Sequence, residues 1–158
     1  MADHKLMNIA ANIKLVIFDI DGVLTDGKLY FSATGDTLKA FNAKDGLGIK
    51  MLILSGIDVA FITGRKSEIV QQRTNELGVK YLFQGQSNKL EAYESCKNTL
   101  SLTDQHIAFM GDDIIDLPVM KRVGLPIAPA NAFDYVQEHA QYTCKNNGGD
   151  GAAREACD

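Results

Sequence analysis

The chain has 158 residues, of which 46% are hydrophobic and 23% charged, with a formal net charge of −4. That is the size and composition of one globular domain, 1–158, and it excludes the disordered and collagen-like classes. The acidic balance leaves no basic footprint for nucleic acid, and no run approaches the roughly 18 apolar residues of a membrane span, so neither is expected as a partner.

In chain order, the opening residues lack the basic start and long apolar run of a secretory signal. Lys14–Phe18 then reads as a buried strand, and Gly27–Phe41 as two strands about a turn at Thr34-Gly35-Asp36. Further short apolar runs at 59–62, 81–83, 107–110 and 125–128 read as strands. Helices are expected at about 45–55, 67–77, 88–100, 113–122 and 132–139, with Gly56 and Gly78 at C-terminal caps. This alternation predicts an α/β fold: a doubly wound, mostly parallel, Rossmann-like sheet with a projecting β-hairpin at about 27–41. The Gly148-Gly149-Asp150-Gly151 cluster reads as part of a flexible glycine-rich tail at about 146–158. Three cysteines (Cys96, Cys144, Cys157) at no metal-binding spacing argue against a disulfide framework or a zinc site and suit a reducing cytoplasm. Gly46-x-Gly48 lacks the third glycine and the preceding strand of a dinucleotide fingerprint.

Two acidic clusters stand where strands end. Asp19-Ile-Asp21-Gly22 follows the first strand, and acids two apart share a face if the extension continues past Phe18. Burying both is costly unless a cation compensates, and Mg²⁺ accepts one or two carboxylates plus a substrate phosphate. The plainer reading is an acidic loop that caps the next element. Asp112 in Gly111-Asp-Asp-Ile-Ile-Asp116 could complete the same cation site, with Asp113 and Asp116 orienting the ligands from behind. Alone, that second cluster reads more simply as a helix cap. Thr63-Gly64-Arg65, also at a strand end, offers donors to a phosphate oxygen. Lys89, beside a helix start, has nothing intrinsic to separate it from Lys80 or Lys97.

The order is more specific than any part: D-x-D-G-x-L-T, then T-G-R, then lysine, then G-D-D-x-x-D. In this the chain resembles the haloacid dehalogenase superfamily of phosphohydrolases. Asp21–Gly27, Ala40–Ile49, Gly111–Met120 and Gly148–Glu155 further resemble the 3-deoxy-D-manno-octulosonate 8-phosphate phosphatase family, which acts in lipopolysaccharide synthesis. The resemblance implies a Mg²⁺-dependent sugar-phosphate phosphatase. Asp19 would be its nucleophile and Asp21 its general acid and base. The metal would be held by Asp19, Asp112 and the main-chain carbonyl of Asp21. Thr63, the backbone about Gly22 and Gly64, and Lys89 would serve the transferring oxygens, with Lys89 also holding Asp19 ionised. It further implies a cytoplasmic homotetramer in which the tail of one subunit reaches a neighbour's site. That makes Arg154 a candidate for the sugar carboxylate, beside Arg65 and Arg73, although surface arginines usually bind nothing. The stretch between Thr63 and Lys89 is too short for an inserted cap domain. A phosphatase of a related nonulosonate 9-phosphate, a receiver-like phospho-accepting domain and an idle scaffold remain as alternatives. Retention of Asp21 as a proton shuttle favours turnover.

Overall fold

The computed structural model describes residues 4–158, so the first three residues of the opening segment lie outside the described part. Helix α1 (His4–Ala10) precedes strand β1 (Leu15–Phe18), and the hairpin β2 (Tyr30–Ser32) and β3 (Gly35–Leu38) follows. Then come α2 (Ala43–Leu54), β4 (Asp58–Ile62), α3 (Glu68–Leu77), β5 (Tyr81–Phe83) and α4 (Lys89–Thr99). The remainder is β6 (Ile107–Met110), α5 (Leu117–Met120), β7 (Leu125–Ala128), α6 (Asp134–His139), β8 (Tyr142–Thr143) and α7 (Ala152–Cys157). No cap domain interrupts this order among the described residues.

Six strands pair in parallel in the order β5-β4-β1-β6-β7-β8. Every side chain of β1 is buried, which is what a continuous Leu-Val-Ile-Phe run requires when helices cover both faces. Alternation divides them. Val16 and Phe18 join a core with Ile49 and Leu52 of α2, Val70 and Leu77 of α3, and Ala152 and Ala153 of α7. Leu15 and Ile17 join the opposite core with Tyr93 and Cys96 of α4, Val119 of α5 and Val136 of α6. From β1 the chain crosses to β4 and β5 on one side, then returns to β6 on the other. The strand order therefore reverses at the tip of β1, which places a crevice there.

Four expectations need correction. The hairpin turns at Ala33–Thr34, before Gly35, and its register slips between Tyr30 and Phe31. The helix expected over 113–122 is a single 3₁₀ turn, Ile114–Asp116, followed by the short α5, because the Asp113 and Asp116 side chains cap that turn reciprocally. The extension past Phe18 ends at Asp19, so Asp21 sits in a tight turn in which Val23, Leu24 and Thr25 all donate to the Ile20 carbonyl. The glycine-rich tail, finally, is docked. Helix α7 buries Ala152 and Ala153 against α2, and the buried Asp45 accepts from the Arg154 N–H at 2.9 Å. Glu155 receives the Tyr142 hydroxyl at 2.7 Å and the N–H groups of Lys145 and Asn146. Composition suggested flexibility, but small residues also allow close backbone packing, and here they do so.

The glycines of that tail close the turn after β1. Gly149 donates to the Val23 carbonyl at 2.9 Å, and Gly148 donates to Asn131 Oδ1 at 2.9 Å. A Cβ on Gly148 would overlap the Gly22 carbonyl. Gly148→Ala is therefore expected to cost about 1–3 kcal/mol as an overpacking substitution. Thermal unfolding should show the loss. An unchanged melting temperature would mean that the tail yields without strain.

Candidate active site

The crevice at the strand tips is a cleft of about 230 Å³ lined by Asp19, Asp21, Thr63, Gly64, Arg65, Lys89, Asp112 and Asp113, among others. Asp19 leaves β1 with its N–H bound to the Met110 carbonyl, which ties the first acid to the strand carrying the second cluster. Lys89 opens α4, whose N-cap Asn88 accepts from the Leu90 N–H. Its ammonium is 2.9 Å from Asp19 Oδ1 and 2.6 Å from Asp116 Oδ1, and its side chain is only 2% exposed. Burial alone would lower the Lys89 pKa, but the two carboxylates outweigh it and the net shift is upward. The lysine that sequence could not distinguish is thus the one locked to the first acid.

Asp116 is fully buried, and both its oxygens are engaged: Oδ1 by Lys89, and Oδ2 by the N–H groups of Asp112 at 3.0 Å and Asp113 at 3.2 Å. It holds Lys89 and the Asp112 backbone in place. Asp113 is exposed and spends its side chain on the Ile114 N–H at 2.7 Å, so it caps the turn and does not brace the ligands as expected. Its charge still bears on Asp112.

Three carboxylate atoms of Asp19, Asp112 and Asp116 lie within 4.8 Å of one another. Burial first, then the Asp116 charge, pushes the Asp19 pKa well above the usual carboxylate range, with Lys89 pulling against both. Burial first, then Asp116 and Asp113, pushes Asp112 up to about 7. One buried ammonium is too little positive charge for three clustered acids, two of them buried and one half-buried, and Asp19 and Asp112 retain oxygen capacity that Asp116 does not. That donor set fits a hard, oxygen-seeking divalent cation. Gly22 makes the approach possible: its φ is +89°, and a Cβ there would collide with the Asp112 carboxylate. The Asp21 carboxylate is not in the cluster. It turns toward the hairpin, where Lys39 Nζ donates to its Oδ1 at 2.6 Å.

Thr63 directly follows β4, is buried in the cleft wall, and gives its N–H to the Phe83 carbonyl, leaving its hydroxyl as the donor to a ligand. Gly64 beside it would tolerate a Cβ, the nearest atom being the Gln86 carbonyl oxygen at 3.6 Å. Of the three candidate arginines only Arg65 reaches the cleft, 40% exposed and 3.3 Å from Asp36. Arg73 packs under Phe41 and against Gly46, and pairs with Glu76 at 3.0 Å. Arg154 lies on α7, pairs with Asp158 at 2.8 Å and lines a separate recess with Asn42 and Lys44. Neither lines this chain's own cleft, and the resemblance gives Arg154 to a neighbour's site. Lys39 was missed altogether, since an isolated lysine after an amphipathic hairpin carries no sequence signal.

Comparison with known proteins agrees with this geometry. Residues 81–155 match the haloacid dehalogenase-like hydrolase family. The curated 3-deoxy-D-manno-octulosonate 8-phosphate phosphatase of Yersinia pestis is 50% identical over 149 residues, covering 94% of this chain and 80% of that protein. A crystal structure of the Yersinia pestis enzyme superposes with a TM-score of 0.96 at 48% identity, over 98% of this chain and 84% of that one. The Moraxella catarrhalis phosphatase of the same name was crystallised in complex with magnesium ion, phosphate ion and KDO. It superposes with a TM-score of 0.93 at 38% identity, over 97% of this chain and 88% of that one. Identity at this level, spread over nearly the whole chain and joined to the same capless fold, makes this protein a phosphoric monoester hydrolase that belongs to the 3-deoxy-D-manno-octulosonate 8-phosphate phosphatase family of haloacid dehalogenase-like hydrolases.

Proposed function

We propose that the protein hydrolyses 3-deoxy-D-manno-octulosonate 8-phosphate to the free sugar acid and phosphate through an aspartyl-phosphate on Asp19. The observation that carries this reading is the buried Lys89, paired at 2.9 Å with Asp19 and anchored from behind by Asp116. Such a pair aims the carboxylate and favours its ionised form against the burial that opposes it, as in-line attack on phosphorus requires. The bond from Asp19 to phosphorus forms as the bond to the sugar oxygen breaks, and Asp21 delivers a proton to that oxygen. Asp21 then takes a proton from the water that attacks the acyl phosphate, which returns Asp19 as a carboxylate and releases phosphate. Mg²⁺ held by Asp19, Asp112 and the main-chain carbonyl of Asp21 would supply the positive charge that lets a carboxylate approach a phosphate dianion. The Thr63 hydroxyl, Lys89 and the backbone about Gly22 and Gly64 donate to the transferring oxygens, and Arg65 at the mouth faces the sugar carboxylate.

Nothing among the described residues forms a lid, and no described helix is long and apolar enough to cross a membrane. The exposed Leu29, Tyr30, Phe31 and Leu38 of the hairpin region suit a subunit contact, in keeping with a homotetramer. Three free cysteines, two of them buried, suit the cytoplasm.

The test is phosphate release from a panel of sugar phosphates with and without Mg²⁺, on protein whose mass in solution is measured by light scattering. Mg²⁺-dependent turnover fastest on the eight-carbon 8-phosphate is expected. Preference for a nine-carbon acid sugar 9-phosphate would keep the chemistry and move the substrate. A long-lived phosphoprotein without turnover would make the domain a receiver.

A further inference from the structure

The reaction above uses Asp21 twice, yet nothing in the first acidic cluster fixes its side chain. Asp21 sits in the turn after β1 and makes no pair with Lys89. Its partner comes from the hairpin. Lys39, the residue after β3, places its ammonium 2.6 Å from Asp21 Oδ1, and the lysine side chain is 2% exposed. The neighbouring Leu38 is 50% exposed. A lysine in such a place ordinarily keeps its charged head in water. This one is turned inward, and Asp36 Oδ2 lies 3.8 Å from its other side. Asp36 Oδ1 in turn is 3.3 Å from Arg65 Nη2, and the Arg65 guanidinium lies 5.1 Å from the centre of the Phe31 ring. An alternating row of charges, Asp21, Lys39, Asp36 and Arg65, thus runs from the turn after β1, through the hairpin, to the loop after β4.

We propose that Lys39 is a positioning residue for Asp21: it occupies one carboxylate oxygen and presents the other to the ester oxygen, which makes docking of the hairpin a condition of proton transfer. The inference rests on the acid–base role given to Asp21 above. A carboxylate at the end of a short side chain turns about its last bond almost freely between two equivalent states. A buried ammonium on one oxygen removes that freedom, because breaking the pair would leave both charges poorly solvated. Misplacement of a reacting group by about 1 Å costs on the order of 10²-fold in rate. Lys39 does not serve as a substrate anchor. Its charge is already shared by two carboxylates and shielded from the cleft mouth, where Arg65 stands.

The experiment compares Lys39→Met, Asp21→Asn and the double variant on the sugar phosphate and on p-nitrophenyl phosphate, whose phenolate leaves without needing a proton. Lys39→Gln replaces the methionine variant if that one fails a thermal-unfolding check. Lys39→Met is expected to lower kcat on the sugar phosphate about 10- to 100-fold with KM little changed. On the aryl ester a burst of phenolate roughly equal to the enzyme should precede slow turnover, because only the attack of water still requires Asp21. The double variant should be no slower than Asp21→Asn, the signature of a residue acting through another. Additive losses in the double variant would overturn the proposal. So would a raised KM at constant kcat, or equal loss on both esters without a burst. If Asp21→Asn itself left both esters unaffected, the acid–base reading would fail first and Lys39 with it. A normal loss in Asp21→Asn beside an uncoupled Lys39 sinks only the latter.

Discussion

Asp19→Asn is expected to reduce phosphate release by on the order of 10⁴-fold or more, whatever the substrate, while leaving the fold intact. The amide keeps the shape of the carboxylate but cannot attack phosphorus, and no other group in the cleft can take its place. Lys89 retains Asp116, and the Asp112 carboxylate is packed beside Gly22. Stability should not suffer. Burial and the Asp116 charge already disfavour an ionised Asp19, so replacing it with a neutral side chain removes a cost from the metal-free protein. The readouts are phosphate release under saturating Mg²⁺ and the melting temperature in chelator. A variant that keeps even a tenth of wild-type turnover would move the nucleophile elsewhere.

Asp112→Asn is the second large effect, and it separates the metal from the nucleophile. The wild-type protein should gain stability from Mg²⁺ by mass action, since the folded state gathers the ligands and the unfolded chain does not. The variant should gain little and should lose on the order of 10³-fold in turnover, several kcal/mol of charge stabilisation being at stake. The sign of the pH dependence follows from linkage. A carboxyl raised to about 7 in the folded state binds more protons there than when unfolded. Stability therefore falls as pH rises from about 4 to about 7, and the full cost is present above that range. Metal-free Asp112→Asn should melt above metal-free wild type at pH 8, and the difference should shrink toward pH 4. Equal melting curves at both pH values, with an undiminished Mg²⁺ response, would remove Asp112 from the metal site.

The fold was legible because its strands are short, continuous apolar runs and its helices lie between them. A parallel sheet buried on both faces leaves that mark on almost any sequence. The acids at the tips of β1 and β6 were legible for the same reason, since charge placed directly after a buried strand has few uses. Lys89 was legible only through the order of the motifs, and Lys39 not at all. Both owe their meaning to contacts across the fold, Lys89 to Asp19 and Asp116 and Lys39 to Asp21, and a lysine's local sequence does not encode where a long side chain ends. The tail misled in the opposite sense. Glycines that allow a chain to be mobile also allow it to pass within van der Waals reach of another backbone, and only the facing Gly22 carbonyl decides between the two. Residue type alone does not say which arginine meets an anion: Arg65 lines this chain's cleft, whereas Arg73 and Arg154 line other recesses.

The seating of Gly148 and Gly149 against the turn after β1 also orders events in time. A ribosome releases the nucleophile, the hairpin and the strands of both acidic clusters long before it releases these two glycines. A nascent chain that has reached α6 already carries Asp19, Asp21, Lys89 and Asp112, yet the turn beside Gly22 still lacks the backbone that closes it. Domains tend to fold as units during synthesis, so an element that closes an early turn from far along the chain delays that closure. Closure of the turn beside Gly22 therefore waits until residues 148 and 149 have emerged and are free to dock.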